Sequence, residues 1–419
     1  MKNNNEVLLR VESLSQHFGR LKAVDKVSFD IHKGEVFGLV GESGCGKTTI
    51  GRTVIKLYDA TGGNVYFKGK RIVAGTLEYK QNIENCKKEL KKKLNQLKEQ
   101  GASAEEISAE KAKAAEYIAQ QKKEIKLAKF DQKNCDKQYS LERQQQVHEQ
   151  YKQLLSEETD PERKAELQKQ YKKDLHEAKH RRLVTGIQMI FQDSIASLNP
   201  RMTVREIISE GLIINGVKDK KYIDEQVYAV LERVGLVREH AGRYPHEFSG
   251  GQRQRIGISR SIIMNPDLII ADEPISALDV SIQAQVINLM NELCKEMGLT
   301  ILFIAHDLSV VKYFSDRIGV MYFGQMVELA DSEELFAHPL HPYTKSLLSD
   351  IPRPDPISEK TRVRLSYNKL RDHDYNEEGP TFREVLPGHF VLCNTEEMKR
   401  YQAEAAAIDA AKAGEANEG

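Results

Sequence analysis

The 419 residues contain no run of 18 apolar side chains, so no segment is expected to span a bilayer as a helix. Net charge is also missing. Lys and Arg number 62, Asp and Glu number 62, and no global field points to nucleic acid. The five cysteines, Cys45, Cys86, Cys135, Cys294 and Cys393, lie far apart with no C-x-x-C pair. That spacing argues against a zinc site or a disulfide framework and for a reducing cytosol. Residues 1–6 carry no apolar core, so no secretory signal is expected. Glycine and proline almost vanish from one tract: residues 77–182 hold only Gly101 and Pro161. The length allows two or three domains.

The strongest positive signal is Gly41-Glu42-Ser43-Gly44-Cys45-Gly46-Lys47-Thr48-Thr49, which fits G-x-x-x-x-G-K-[ST] at every position. A short apolar run, 35–40, precedes it and suits a buried strand. Residues 48–57 follow with Ile50, Val54 and Leu57 at helical spacing, which predicts a helix to Leu57. In that context the glycines let the backbone curl, so successive N–H groups point inward and make an anion nest. The helix N-terminus adds the positive end of its dipole. Lys47 would reach the outer phosphates, and the Thr48 hydroxyl would hold Mg2+. Cys45 fills a variable position of the loop and reads as small and tolerated.

Ahead of the loop, Val7, Leu9, Val11, Val24, Val27, Phe29 and Ile31 alternate with polar residues, predicting short antiparallel strands with one wet face. Phe18 lies among them. An aromatic there either stacks on an adenine ring or joins the core. After the loop, glycine-bearing turns bracket a further strand at 65–67. The glycine-poor tract 77–182 then runs rich in Lys, Glu, Gln and Ala. Narrow apolar stripes (Leu90, Leu94, Leu97; Val147, Tyr151, Leu154; Leu167, Tyr171, Leu175) predict three or four helices. Breaks are expected near Gly101, around Asp131 and at Pro161, with the helices packed on each other as antiparallel hairpins. The tract is either a docking arm or a solvated insertion.

From Gly186 a globular pattern returns. Residues 187–191 read as a strand leading to Gln192, and 203–238 as amphipathic helices. The run Phe248-Ser249-Gly250-Gly251-Gln252 opens another helix. Residues 267–271 and 300–305 are apolar strands that end at Asp272-Glu273 and His306-Asp307. Strands buried on both faces and alternating with helices predict a parallel α/β sheet.

These motifs, in this order, resemble the nucleotide-binding subunit of an ABC transporter. The order is phosphate loop, Gln192, the signature at 248–252, Asp272-Glu273, a loop ending in Asp279, and His306. The resemblance implies an α/β P-loop NTPase with a RecA-like core, an antiparallel β subdomain and a helical signature subdomain, here with a charged α-helical insertion. It implies ATP and Mg2+ as cofactors. It implies nucleotide contacts from Phe18 (adenine stacking), residues 41 and 43–49, Gln192, Ser249, Gly251, Gln252, Asp272 and Asp279. Thr48, Asp272 and Gln192 would serve the metal. Glu273 would be the catalytic carboxylate, a base or an orienting acceptor for water. His306 would contact the γ-phosphate, with Lys47 and Gln192 completing the catalytic set. Ser249 and Gly251 open a helix, a second anion site, which in the family caps the nucleotide of an opposite chain. One loop and one signature per chain therefore imply a second ATPase chain.

The runs Ala196-Ser197-Leu198-Asn199-Pro200-Arg201-Met202, 272–283 and His341-Pro342-Tyr343 resemble the oligopeptide and dipeptide importers, and within them the F-type subunit. That implies a D-type partner ATPase, two transmembrane permease subunits, an external peptide-binding protein, no nucleic acid, and a place on the cytoplasmic face of the membrane. Importers of nickel or other small solutes use similar ATPases. Chromosome-maintenance ABC ATPases also carry coiled coils, but theirs enter after the Q-loop rather than before Gln192. ABC translation factors carry two cassettes. A scaffold would have lost Glu273 or His306. The expected division is an ATPase domain at 7–76 and 183–330, the insertion at 77–182, an importer-type extension at 331–401 and a disordered tail at 402–419. Some relatives cluster cysteines in that extension for an iron–sulfur centre; Cys393 alone cannot hold one.

Overall fold

The computed structural model describes residues 6–100, 103–180, 182–193, 197–276, 278–351 and 364–418, with side chains described as far as 410. Gly101, Ala196, Ala277, residues 352–363 of the extension and Gly419 lie outside them. The chain forms two compact units. One comprises residues 8–30 and 52–184; the other comprises 1–7, 31–51 and 185–419.

In the first unit a sheet runs in the order β2-β1-β4-β5, where β1 is Val7–Phe18, β2 Leu21–His32, β4 Gly62–Phe67 and β5 Lys70–Ala74. The first two strands are 12 residues each, longer than expected. β4 and β5 pair antiparallel around Lys68 (φ 51°) and Gly69 (φ 73°), the two left-handed residues a tight hairpin needs.

The insertion forms three helices, α2 (Leu77–Glu99), α3 (Ala104–Glu157) and α4 (Pro161–His180). They pack on each other as expected. Val147, Tyr151 and Ala178 form a small core with Leu167, Tyr171 and Leu175, and the Tyr151 hydroxyl donates to Asp174 at 2.6 Å. The break expected at Asp131 does not occur, and α3 runs on for 54 residues. Asp131 is a poor helix former, but its carboxylate is held by Arg71 of β5 at 2.5 and 3.0 Å. Lys70 likewise meets Glu142. The sheet contact supplies what local propensity lacks.

The second unit holds an eight-stranded sheet in the order β11-β12-β10-β9-β3-β8-β7-β6. Its inner strands, β3 (Val36–Val40), β7 (Leu268–Asp272) and β8 (Thr300–Ile304), are buried at every residue. With β6 (Ile187–Ile190) and β9 (Arg317–Tyr322) they pair in parallel. Each fully buried Leu or Ile stabilises by roughly 2 kcal/mol, which fixes the strands against sliding. Helix α1 (Lys47–Val54) leaves β3 through the glycine loop. Gly51 lets it lie close on the sheet, because a Cβ there would come 3.0 Å from Ile270 and 3.2 Å from Ile304. The helix stops before Leu57. Lys56 turns left-handed (φ 64°), its N–H bonds to Thr53 O, and Leu57 N–H bonds to Arg52 O, which closes a Schellman end. Leu57 is left 57% exposed.

Helices α5 (Val204–Ile214), α6 (Lys220–Arg233), α7 (Gly250–Ile262), α8 (Val280–Met297) and α9 (Leu308–Phe314) complete the expected alternation. Sequence periodicity did not reveal the extension's role. β10 (Gln325–Asp331), β11 (Thr381–Leu386) and β12 (His389–Cys393) add antiparallel to the open edge. Between and after them come α10 (Ser332–Ala337), α11 (Pro342–Ser349), α12 (Lys369–Asp372) and α13 (Thr395–Glu418).

Residues 402–418, expected as a disordered tail, belong to α13. Ala and Glu are strong helix formers. Upstream, Asn394 caps the helix by accepting from Glu397 N–H at 2.8 Å, and Tyr401 and Ala405 are buried against Val385 and Val391. Composition alone could not register that anchor.

The added strands enclose a buried ion pair. Glu328 accepts from His389 Nε2 at 2.8 Å and from the N–H groups of Leu340 and His341 at 2.8 and 3.1 Å, with both side chains fully buried. Burial opposes the charged form of His389, but hydrogen bonds and charge from Glu328 and Glu334 outweigh it and raise its pKa. A raised histidine stabilises the fold fully below its ordinary value of 6.5, and that contribution fades as pH climbs through the raised value. Urea unfolding should therefore show stability declining as pH rises above the ordinary histidine value of 6.5, and His389→Gln should lessen the decline. Glu328→Ala, which strands a buried charge, should cost about 3 kcal/mol.

Candidate active site

Parallel pairing puts the carboxyl ends of β3, β8, β7 and β6 along one edge, where ligands of open α/β sheets bind. The residues just past those ends are, in strand order, the glycine loop, His306, Asp272-Glu273 and Gln192. Sequence separations of more than 200 residues collapse there into side-chain contacts.

The loop curls as the motif predicts. Gly41 (φ 147°), Gly44 (φ 83°) and Gly46 (φ 106°) are all at positive φ. Gly41 has a second constraint, since a Cβ on it would overlap the carbonyl oxygen of Met321. Lys47, 4% exposed, folds its ammonium back onto the loop, donating to Gly41 O at 2.6 Å and Glu42 O at 2.9 Å, with Cys45 Sγ at 3.6 Å. Burial pushes the Cys45 thiol up more than the Lys47 charge pulls it down, so the sulfur stays neutral. Ser43 is exposed at the rim, and Thr49 follows Thr48 in the first turn of α1.

Thr48 Oγ1 donates to Oδ1 of Asp272 at 2.7 Å, and Asp272 is fully buried at the end of β7. Two hard oxygen donors at the mouth of an anion nest suit Mg2+ beside phosphate. Glu273 follows in a left-handed conformation (φ 44°) that only a surrounding structure can enforce on a non-glycine residue. Its N–H bonds to Ile304 O at 2.9 Å. Its carboxylate accepts from Gln192 Nε2 at 2.9 Å and lies 3.4 Å from Nδ1 of His306. Gln192 thus joins Glu273, while Thr48 joins Asp272. A small cavity of about 60 Å³ adjoins Glu273 and His306, lined also by Ser276 and Gln283.

The signature residues make a separate feature. Ser249 caps α7: its hydroxyl accepts from Gln252 N–H, and Gln252 Oε1 accepts from Ser249 N–H at 3.1 Å. Gly251 lets α7 meet α8, because a Cβ there would stand 2.6 Å from Ile282. Asp279 is exposed at the start of α8. Phe18, in the other unit, is not core. It is 45% exposed and edge-on to Tyr58 at 5.3 Å.

One residue enters the site that motif reading treated only as a subfamily marker. The hydroxyl of Tyr343, from α11, accepts from the N–H of Glu42 at 3.0 Å. Its spacing from the loop, about 300 residues, left no local signal.

The family model described as "ABC transporter" matches residues 24–150 and 152–276, and "Oligopeptide/dipeptide transporter, C-terminal region" matches 327–384. The oligopeptide transport ATP-binding protein OppF of Bacillus subtilis is 47% identical over 401 residues, covering 94% of this chain and 99% of its own. The dipeptide transport ATP-binding protein DppF of Lactococcus lactis is 42% identical over 387 residues, covering 92% and 91%. Among solved structures, the ADP conformation of MJ1267, an ATP-binding cassette of an ABC transporter, matches with a TM-score of 0.51 at 21% identity, covering 82% of this chain and 99% of that one.

The crowding at Gly41 makes a graded test. Gly41→Ala should lower stability by about 2–3 kcal/mol through strain and overlap. Gly44→Ala, whose Cβ would meet nothing within 4 Å, should cost about 1 kcal/mol. Thermal unfolding of the two variants beside the wild type reads the difference, and equal losses would contradict the packing argument.

Proposed function

The chain belongs to the ABC transporter ATP-binding proteins, and from that premise we propose that it is the F-type ATPase subunit of an oligopeptide importer. ATP hydrolysis is the activity of the family. The observation that carries the assignment is the row of groups at one sheet edge: Lys47, the Thr48–Asp272 pair, and Glu273 between Gln192 and His306. The peptide cargo follows the two curated relatives and the extension at 327–384.

Each group has a task its geometry suits. Lys47 would exchange neutral carbonyl partners for the outer phosphates, adding the attraction of opposite charges to bonds already charge-assisted on the donor side. Thr48 and Asp272, with Gln192 nearby along the edge, would hold Mg2+, which when bound neutralises phosphate charge. Glu273, held at its carboxylate by Gln192 and His306, orients or deprotonates the attacking water. His306, with 53% of its side chain exposed, is free to turn toward a γ-phosphate. The half-exposed ring of Phe18 would offer a stacking surface for adenine. Residues 41 and 43–49 bind the phosphates of one nucleotide. Ser249, Gly251 and Gln252 at the start of α7, with Asp279, serve the nucleotide of a second ATPase chain of the D type.

On this reading residues 7–76 and 183–330 are the ATPase proper and 77–182 its insertion. Among the described residues no helix is long and apolar enough to cross a membrane. On the importer reading, transport would fall to two permease subunits, supplied by an external peptide-binding protein, with this chain docked on their cytoplasmic face. Closure of the two ATPase chains on ATP would pull on the permeases, and hydrolysis would release them.

In the assembled complex Glu273→Gln should keep ATP affinity within about twofold while turnover drops by two or more orders of magnitude. Undiminished hydrolysis would remove Glu273 from its role. Affinity purification of the native complex should bring down two polytopic membrane proteins and a second ATPase. Recovery of ribosomes or DNA in their place would point to another branch of the family.

A further inference from the structure

We infer that Tyr343 is a positioning residue for nucleotide binding, acting on Lys47 through a single peptide unit. The inference rests on the reading of residues 41–49 as the phosphate loop. The N–H of Glu42 and the C=O of Gly41 belong to the same planar group and point in opposite directions. At one end the N–H donates to the Tyr343 hydroxyl at 3.0 Å. At the other end the carbonyl accepts from Lys47 Nζ at 2.6 Å. Tyr343 therefore sets the tilt of the plane against which the phosphate-binding ammonium rests. The same bond commits the Glu42 N–H to the tyrosine hydroxyl.

Tyr343 is itself held firmly. It is 2% exposed, and its ring lies 4.5 Å from Tyr322 and 5.5 Å from Tyr367. Burial raises its pKa, so the accepting group is the neutral hydroxyl. Its helix, α11, starts at a point fixed from below: Glu328 accepts from Leu340 and His341 N–H, and the His341 ring accepts from Tyr343 N–H at 3.1 Å. A second tie comes from the β9–β10 turn, where Gly324 N–H donates to Cys45 O at 3.0 Å. The importer-type extension thus braces the outer side of the loop at Glu42, and the β9–β10 turn braces it at Cys45.

The consequence is preorganisation. Gly41 has no side chain to resist rotation of the peptide that follows it. Without the tyrosine hydroxyl that peptide samples other tilts, and nucleotide binding must order it again. Loss of one buried hydrogen bond of this kind corresponds to a weakening of about fivefold to tenfold.

The test is Tyr343→Phe in the full-length chain, which keeps the ring packing and removes only the acceptor. Kd and KM for ATP should each rise about fivefold to tenfold, while kcat at saturating ATP changes by less than about twofold. Hydrogen exchange should show faster exchange in the peptide containing Glu42, with the β3 and β8 peptides unchanged. Exchange that rises across the strands as well would show a general loss of structure and overturn a positioning role. So would Tyr343→Phe with wild-type Kd and wild-type exchange at Glu42, or a fall in kcat at unchanged KM. Wild-type protein that binds no ATP would overturn the phosphate-loop reading and this one together, whereas wild-type binding with an indifferent Tyr343→Phe overturns Tyr343 alone.

Discussion

The pairing of β3, β8, β7 and β6 decides where the polar groups of the candidate site lie. Parallel neighbours end on the same side, so the first polar residue beyond each apolar strand arrives at a common edge. Asp272 pairs in register with Ile304, two residues before His306, and Ala271 pairs with Ile190, two residues before Gln192. A slip of one residue would turn Asp272 to the other face of the sheet and separate it from Thr48. The continuous burial of β3, β7 and β8 penalises such a slip, because it would misplace a whole row of apolar side chains.

Given that register, the polar groups at the edge satisfy one another. Lys47 rests on carbonyl oxygens, Thr48 on Asp272, and Glu273 against Gln192 and His306. Buried charges need such partners. Those of Lys47 are neutral carbonyl oxygens, which satisfy its hydrogen bonds but leave its charge unmatched. Glu273 is the strained member: its left-handed backbone is held by the bond to Ile304 O on the neighbouring strand. The site is thus preformed, and bonds from Gly324 and Tyr343, well downstream in the chain, hold its loop.

Several elements differ from what periodicity suggests, each for a tertiary reason. α1 ends early because Lys56 takes a left-handed turn, although Leu57 continues the apolar spacing. α3 passes through Asp131 because Arg71 and Lys70 hold it against β5. The last residues are helical because Tyr401 and Ala405 are anchored on the added strands. The strands β10, β11 and β12 are too mixed in composition to read as members of the large sheet. Their membership depends on the ladders to β9 and to each other.

The amino-acid sequence by itself determined the chemistry: a glycine loop with Lys47 and Thr48, an acidic pair after an apolar strand, a histidine after another, and a serine ahead of a helix. These are local patterns whose meaning depends on spacing within a few residues. Only the tertiary structure decided which groups touch. That Gln192 bonds to Glu273 rather than to the Thr48–Asp272 pair, that Phe18 is exposed rather than buried, and that Tyr343 reaches the loop across some 300 residues are all consequences of long-range packing. Such contacts leave no trace in short-range spacing, because strand pairing, and not sequence distance, sets who is adjacent.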